Sequence, residues 1–454
     1  MSRSPTTKIR ILSILIAVLA AADVLVISAC FRVPGKKAEP PATEPVESQT
    51  ETTEPEPTDP DAPVATATVL ATGDLLMHKK VIDSGKQEDG SYDFSSIFRY
   101  ISPIVQQTDY AVANLETTLC GTDKGYAYSG NPKFNCPDAI VDAAKDAGFQ
   151  MLLTANNHSL DTGIVGYKRT LEVVREKGLE TLGTYLTADE KKWTLVNVNG
   201  INLGMVCYTY SDGFNQSGKP VLNFNEMPET GILNYFTYDH LPEFYEELGG
   251  YLKEMKAAGA DATLLFIHWG TEYQLSADAN QTAMAQALCD LGIDAIVGGH
   301  PHVVEPMDLL TSSQDPNHKT VVLYSLGNAV SNQRKEEIKS RPTGETEDGI
   351  LYRLTFGKYA DGTVKIDAVD LIPTWVNLNS NSGSAEYPII PLDAANMDSW
   401  QGSYNLTGSQ LLSAKASLNR TNQIISASLQ KVQTGLAPAE EPTEPTTASS
   451  EEAA

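Results

Sequence analysis

Residues 297–304 read Val-Gly-Gly-His-Pro-His-Val-Val, with His300 and His302 two apart behind Gly298-Gly299. A mostly apolar run, 293–297, leads into them. The pattern predicts a buried strand ending in a tight turn, where small residues leave room for an ion or a substrate. Imidazoles at this spacing on an extended turn can converge on one metal, or on two neighbouring ions. The alternative is a pair of loop histidines with no ligand role.

Other stretches repeat the arrangement and so weigh against that alternative. A predicted strand over 64–72 stops at Gly73-Asp74, with His78 shortly after. One over 110–115 ends at Asn114 and Glu116, one over 151–154 runs into Asn156-Asn157-His158, and one over 263–267 ends at His268. Of seven histidines, only His240 and His318 fall outside this set, so the placement is not that of scattered surface imidazoles. Mixed oxygen and imidazole donors suit Zn, Mn or Fe at two adjacent sites. A carboxylate can bridge two divalent ions, and ions about 4 Å apart can clamp a phosphoryl-like group and activate water. Some neighbours have simpler readings. Asn114 and Asn156 are expected to hold their own turns by Asx bonding. Asp161 fits a helix N-cap as well as a functional group, and Trp269 is expected as a pocket wall.

The elements that must position these groups alternate in type. Helical patterns are expected over 94–107, 137–147, 166–177, 241–258, 279–291 and 407–433, and a further strand over 320–325 ends in Leu326-Gly327-Asn328. Asn199-Gly200 and Asp361-Gly362 mark two hairpins. Strands alternating with helices, plus hairpins, predict an α/β body with mixed sheets, whose ligands sit beyond the strand C-termini. The helical pattern near the C-terminus could pack on the body or stand apart.

The chain has 454 residues and a net charge of −25, of which about −17 falls on the body. That balance disfavours a nucleic-acid partner, which needs clustered Lys and Arg. Residues 1–30 combine Arg3, Lys8 and Arg10 with an apolar run over 11–29, interrupted by Asp23. The run ends in Ile-Ser-Ala-Cys at 27–30, which resembles a bacterial lipobox; an uncleaved signal anchor is the rival. Either places the body outside the cytoplasm, tethered to the cell membrane. Residues 31–63 are rich in Pro, Thr and Glu and predict a disordered stalk; 437–454 predict a disordered acidic tail. The folded part is then 64–395, with a helical extension over 396–436. Cys207 and Cys289 are expected as buried thiols. Cys120 and Cys136 fit either a disulfide or two free thiols.

Six motifs in order, GDLLMH (73–78), NLE (114–116), ANNHSLDTG (155–163), HWGTEY (268–273), GGHPHVVEP (298–306) and SLGN (325–328), resemble the capsule synthesis protein CapA family. That family is associated with poly-γ-glutamate capsules and related to calcineurin-like metallophosphoesterases. The resemblance runs from about residue 64 to 393. It implies a four-layer α-β-β-α sandwich with two mixed sheets and a dinuclear site at the strand ends. By motif, Asp74 would bind the first ion, with His78 as a co-ligand four residues on, where phosphoesterases place a His two on. Glu116 stands where those enzymes have a bridging Asp. Asn157 would bind the second ion, completed by His268 and His300, and His302 would complete the first. His158 would move a proton or bind substrate, and Glu272 and Asn328 are candidates for substrate binding or for support of the ligands. Two functions follow as expectations. One is a metal-dependent hydrolase or transferase acting on a phosphoester or amide. The other is a non-catalytic component that binds an anionic polymer or joins a capsule synthase.

Overall fold

The computed structural model describes residues 62–380 and 385–437. The expected membrane-targeting segment, almost all of the stalk and the acidic tail lie outside them. No helix among the described residues is long and apolar enough to cross a membrane.

Two mixed sheets face one another. In the first, Ala65–Leu75 is central. On one side it continues in parallel through Tyr110–Asn114, Met151–Leu153 and Glu180–Leu182. On the other it is antiparallel to Asp348–Lys358, followed by Val364–Val376 and Ile389–Pro391. The second sheet centres on Ala262–His268, parallel to Ile201–Tyr210 and to Ala295–Gly299. Lys319–Leu323 lies parallel beyond the latter, and antiparallel strands Thr194–Val198 and Met307–Thr311 form the edges.

The sequence of the central strands explains the layering. Strands covered on both faces read as near-continuous apolar runs, and alternate residues serve opposite layers. Val69 and Ala71 point between the sheets, where they meet Leu203, Leu264 and Val297, while Leu70 points outward. Leu265 and Ile267 likewise point outward, onto helices Leu241–Ala257 and Ala279–Leu291. Helix Ala139–Ala147 covers the outer face of the first sheet through Ile140, Val141 and Ala144. The result is the expected four-layer α-β-β-α sandwich.

Several elements differ from the sequence pattern. The helix expected over 94–107 is two short ones, Ser95–Phe98 and Ser102–Val105, because Pro103 can start a helix but cannot sit inside one. The first strand does not stop at Gly73 but runs on to Leu75. Asn328–Val330 pairs with it in parallel there, and Gly73 lets the backbone of Gly327 approach; a Cβ on Gly73 would stand 1.8 Å from the Gly327 oxygen. The short strands Glu180–Leu182, Met307–Thr311 and Ile389–Pro391 are held by their neighbours and carry little pattern of their own.

Helix Gly408–Leu436 packs on the body. A capping box starts it, with Thr407 and Gln410 exchanging hydrogen bonds. Ala414 and Leu418 join Trp375 and Trp400, and Ile425 and Val432 reach the layer between the sheets. Its Arg420 meets Asp348 in a two-pronged ion pair at 2.8 and 2.7 Å, joined by the Ser417 hydroxyl at 2.6 Å. Cys120, Cys136, Cys207 and Cys289 are all free and buried. The alternative left open for Cys120 and Cys136 resolves to two thiols.

Candidate metal centre

Both sheets end at one place. Asp74, Asn114, Glu116, Asn157 and His158 come from strand ends of the first sheet, and His268, His300 and His302 from those of the second. Parallel strands carry their C-termini to the same edge, so residues up to 228 apart in sequence meet there.

The backbone is arranged around the histidines. Both His300 and His302 have positive φ, 96° and 57°. Such conformations are uncommon outside glycine, and they persist where the surroundings over-determine them, often at functional sites. Space requires the first of the two preceding glycines and favours the second. A Cβ at Gly298 would lie 1.9 Å from the Tyr324 oxygen, and one at Gly299 would crowd Asp74 at 3.3 Å.

Among the described residues, two groups of three place their ligand atoms within 4.8 Å of one another: Glu116, His300 and His302, and Asp74, Glu116 and His268. Glu116 belongs to both. Its Oε1 lies 3.5 Å from His268 Nε2 and 3.9 Å from His302 Nε2. His302 Nδ1 lies 3.1 Å from Asp74 Oδ2, and His268 Nε2 lies 3.2 Å from His300 Nδ1 and 2.9 Å from Asn157 Oδ1. Six of the seven expected ligands therefore converge. His78 stands outside both groups. It is the N-cap residue of a short helix, its ring packs edge-on to Phe134, and its Nδ1 lies 3.3 Å from the Asn332 amide nitrogen.

The donor set fits a cation. Glu116 is fully buried, and neither carboxylate oxygen has a hydrogen-bond partner. Buried polar groups are ordinarily satisfied, so this carboxylate lacks a positive partner that a metal ion would supply. Burial, then the charges of Asp74 and Glu272, pushes its carboxyl well above the usual range. Burial drives His268 down to about 3 and His300 well below the ordinary imidazole value. Neutral imidazoles are the form that binds metal. Burial alone would raise Asp74, but its hydrogen bond to His302, the imidazoles around it and the Asn114 amide outweigh that and hold it low. These buried groups could hold a metal ion.

Some supporting residues behave otherwise than the sequence suggested. The Asn114 side chain reaches across to other strands instead of bonding its own turn. Its amide donates to Asp74 Oδ1 at 2.8 Å and is itself held by Asn156 at 3.0 Å. Asp161 is not the cap of the following helix, whose N-cap is Thr162. Its buried carboxylate lies 2.7 Å from His158 Nδ1 and accepts the Phe134 amide at 2.7 Å. The far nitrogen of His158 faces Glu116 at 4.0 Å. Asn328 is fully buried; its amide donates to the His302 carbonyl, Gln333 and the Thr346 carbonyl, and its Oδ1 lies 3.2 Å from His302 Nδ1, so it supports His302. Glu272 is exposed at the rim, close enough for its charge to act on Glu116 and Tyr273. Trp269 is core, not wall; its indole donates to the Tyr324 carbonyl at 3.0 Å beneath Gly298. Sequence reasoning missed Tyr210, whose ring lies 4.7 Å from that of His300, and Asn223, whose amide lies 3.2 Å from His158 Nδ1. Neither stands in a motif; only the fold brings them in.

A four-layer α/β sandwich whose strand ends gather carboxylates and imidazoles from both sheets belongs to the metallophosphoesterase-like class of folds. Within it, this chain is a member of the bacterial capsule synthesis protein PGA_cap family, whose model matches residues 68–333 and so contains every candidate ligand. It is 30% identical over 269 residues to the capsule biosynthesis protein CapA of Bacillus anthracis, covering 59% of this chain and 60% of that one. It is also 30% identical over 302 residues to the PGA biosynthesis protein CapA of Bacillus subtilis (strain 168), covering 66% and 70%. The chain thus spans about 60% of the length of the first of these relatives. The family match ends before Asp348 and the C-terminal helix.

Proposed function

We propose that this protein is a membrane-tethered, extracytoplasmic component of capsule polymer biosynthesis or export. Its centre would hold two divalent ions and carry out hydrolysis or transfer at a phosphoester or amide bond of an anionic substrate. The observation that carries the reading is Glu116, an unpartnered buried carboxylate shared by two groups of potential ligands, with a His–Asp pair beside it. The family membership and the names of the relatives supply the pathway. The positively charged start and apolar run within residues 1–30 support the membrane tether.

Bound divalent ions would supply Lewis acidity and neutralise developing oxyanion charge. Asp74, Glu116, Asn157, His268, His300 and His302 would hold them. The chain's own task is then proton handling and alignment. Asp161 fixes the His158 ring through Nδ1, which leaves Nε2, 4.0 Å from Glu116, to give or take a proton. Asn114 aims Asp74, and Asn328 aims His302.

A second reading has its own support. The family and the relatives are named for capsule or PGA biosynthesis and for no catalytic step, so a site that binds without turnover fits them equally well. In that reading the ions hold carboxylates of an acidic polymer without turnover. The deciding experiment is metal analysis of the full chain, followed by assays on a generic phosphodiester and on poly-γ-glutamate. Turnover that is lost in His300→Ala with its metal, and lost in His158→Ala with metal retained, supports the enzyme. Metal-dependent polymer binding without turnover supports the second reading. Unchanged metal content in both His268→Ala and His300→Ala refutes the ligand assignment.

A further inference from the structure

Beside His158 a small hairpin pairs Val221–Leu222 with Asn225–Glu226. Its two turn residues, Asn223 and Phe224, both have positive φ, 44° and 65°. Two-residue turns of this shape favour Asn-Gly, and the second position here carries a phenyl ring instead. Phe224 is also 94% exposed, the highest value among the large hydrophobic residues described. A strained backbone that presents an apolar ring to water does nothing for the stability of the hairpin.

The tip is nevertheless anchored to the chemistry. The Asn223 amide lies 3.2 Å from His158 Nδ1 and 3.4 Å from Asp161 Oδ1. Asn225 accepts a hydrogen bond from Lys133 Nζ at 3.4 Å. Lys133 precedes Phe134, whose ring packs 4.6 Å from that of His158. Two other lysines of this region are neutralised, Lys219 by Glu226 and Lys168 by Glu229. Lys133 is exposed and forms no ion pair among the described residues. In a chain of net charge −25, an unpaired ammonium beside the candidate centre is a feature to explain.

We propose that Phe224 and Lys133 form a binding subsite at the mouth of the metal centre. Its ligand is anionic with an aliphatic or ring segment next to the charge. The ammonium takes a carboxylate or phosphate, and the phenyl face covers the apolar segment. This rests on the reading that the centre receives an anionic substrate. Asn223 donates to Asp161, which holds the His158 ring, so that a ligand seated on the tip is aligned with the proton-handling group.

The test uses the full chain loaded with Mn²⁺ and a fluorescent oligo-γ-glutamate, with binding read by anisotropy. Phe224→Gly removes both the ring and the backbone strain. Affinity should fall about tenfold while the melting temperature holds or rises, because glycine adopts positive φ freely. A purely structural Phe224 would give the opposite pair of results, a lower melting temperature with affinity kept. Lys133→Ala should weaken binding about tenfold and flatten its salt dependence, and Lys133→Arg should restore both. Metal content should not change in any of these variants. If the unmodified chain binds the probe and both variants bind within about twofold of it, the subsite is refuted while the functional reading stands. If the unmodified chain does not bind the probe, the anionic-substrate reading falls, and the subsite with it.

Discussion

Replacing Glu116 by Gln should make the metal-free protein more stable and the metal-treated protein unresponsive. Glu116 is fully buried and neither oxygen is hydrogen-bonded, so without a cation it must either carry an uncompensated charge or take up a proton that a solvated Glu would release. A buried unpaired charge costs about 3–5 kcal/mol. The amide of Gln carries no charge and can donate to imidazole nitrogens already nearby, His268 Nε2 at 3.5 Å and His302 Nε2 at 3.9 Å. Taking about 3 kcal/mol of that cost as relieved, and an unfolding entropy of about 0.8 kcal/mol/K for a body of this size, the melting temperature should rise by about 4 °C. The native protein should instead respond to metal. Saturation at about a thousand times the dissociation constant adds about 4 kcal/mol, or about 5 °C. Calorimetry of chelator-treated protein, with and without Mn²⁺ or Zn²⁺, checks both values. The pH dependence has a definite sign. A carboxyl raised in the folded state binds more protons folded than unfolded, so its contribution is favourable below the ordinary Glu value and is lost as pH rises through the raised one. The difference between Glu116→Gln and native protein should therefore widen with pH. A variant that melts lower without metal, yet still gains stability from it, would refute the account of Glu116 as an unpartnered bridging ligand.

Three other outcomes are expected. His268 titrates at about 3 in the folded state against an ordinary value of 6.5, so its contribution is complete above about 6.5 and is lost as pH falls toward 3; urea unfolding of metal-free His268→Gln should depend less on pH across that window. Arg420→Ala leaves Asp348 buried without its cation and should cost about 3–5 kcal/mol in denaturant unfolding, whereas a loss under about 1 kcal/mol would show that the C-terminal helix is not fastened through this pair. Gly298→Ala places a Cβ 1.9 Å from the backbone oxygen of Tyr324 and 2.5 Å from the Trp269 indole nitrogen, so it should lower stability by about 3 kcal/mol and reduce bound metal, as checked by unfolding and metal analysis; stability within about 0.5 kcal/mol of the native chain would refute it.

The sequence by itself determined the layered α/β plan and most of the candidate ligands. Both come from local rules. Short apolar runs bounded by turn residues, such as 262–267, read as strands covered on both faces, and parallel strands deliver the residues after their C-termini to one edge. Asp74, Glu116, Asn157, His268, His300 and His302 were legible because each comes directly after such a run. Only the tertiary structure decided the contacts between and around them. That Asn114 aims Asp74, that Asp161 holds His158 rather than capping a helix, that Asn328 turns inward, and that His78 stands apart all depend on side-chain directions across strands distant in sequence. Short edge strands, the Asn223–Phe224 tip and the Arg420–Asp348 clamp were invisible for the same reason. Periodicity reports which face a residue shares with its neighbours in the chain; it carries no information about which distant residue will meet it there.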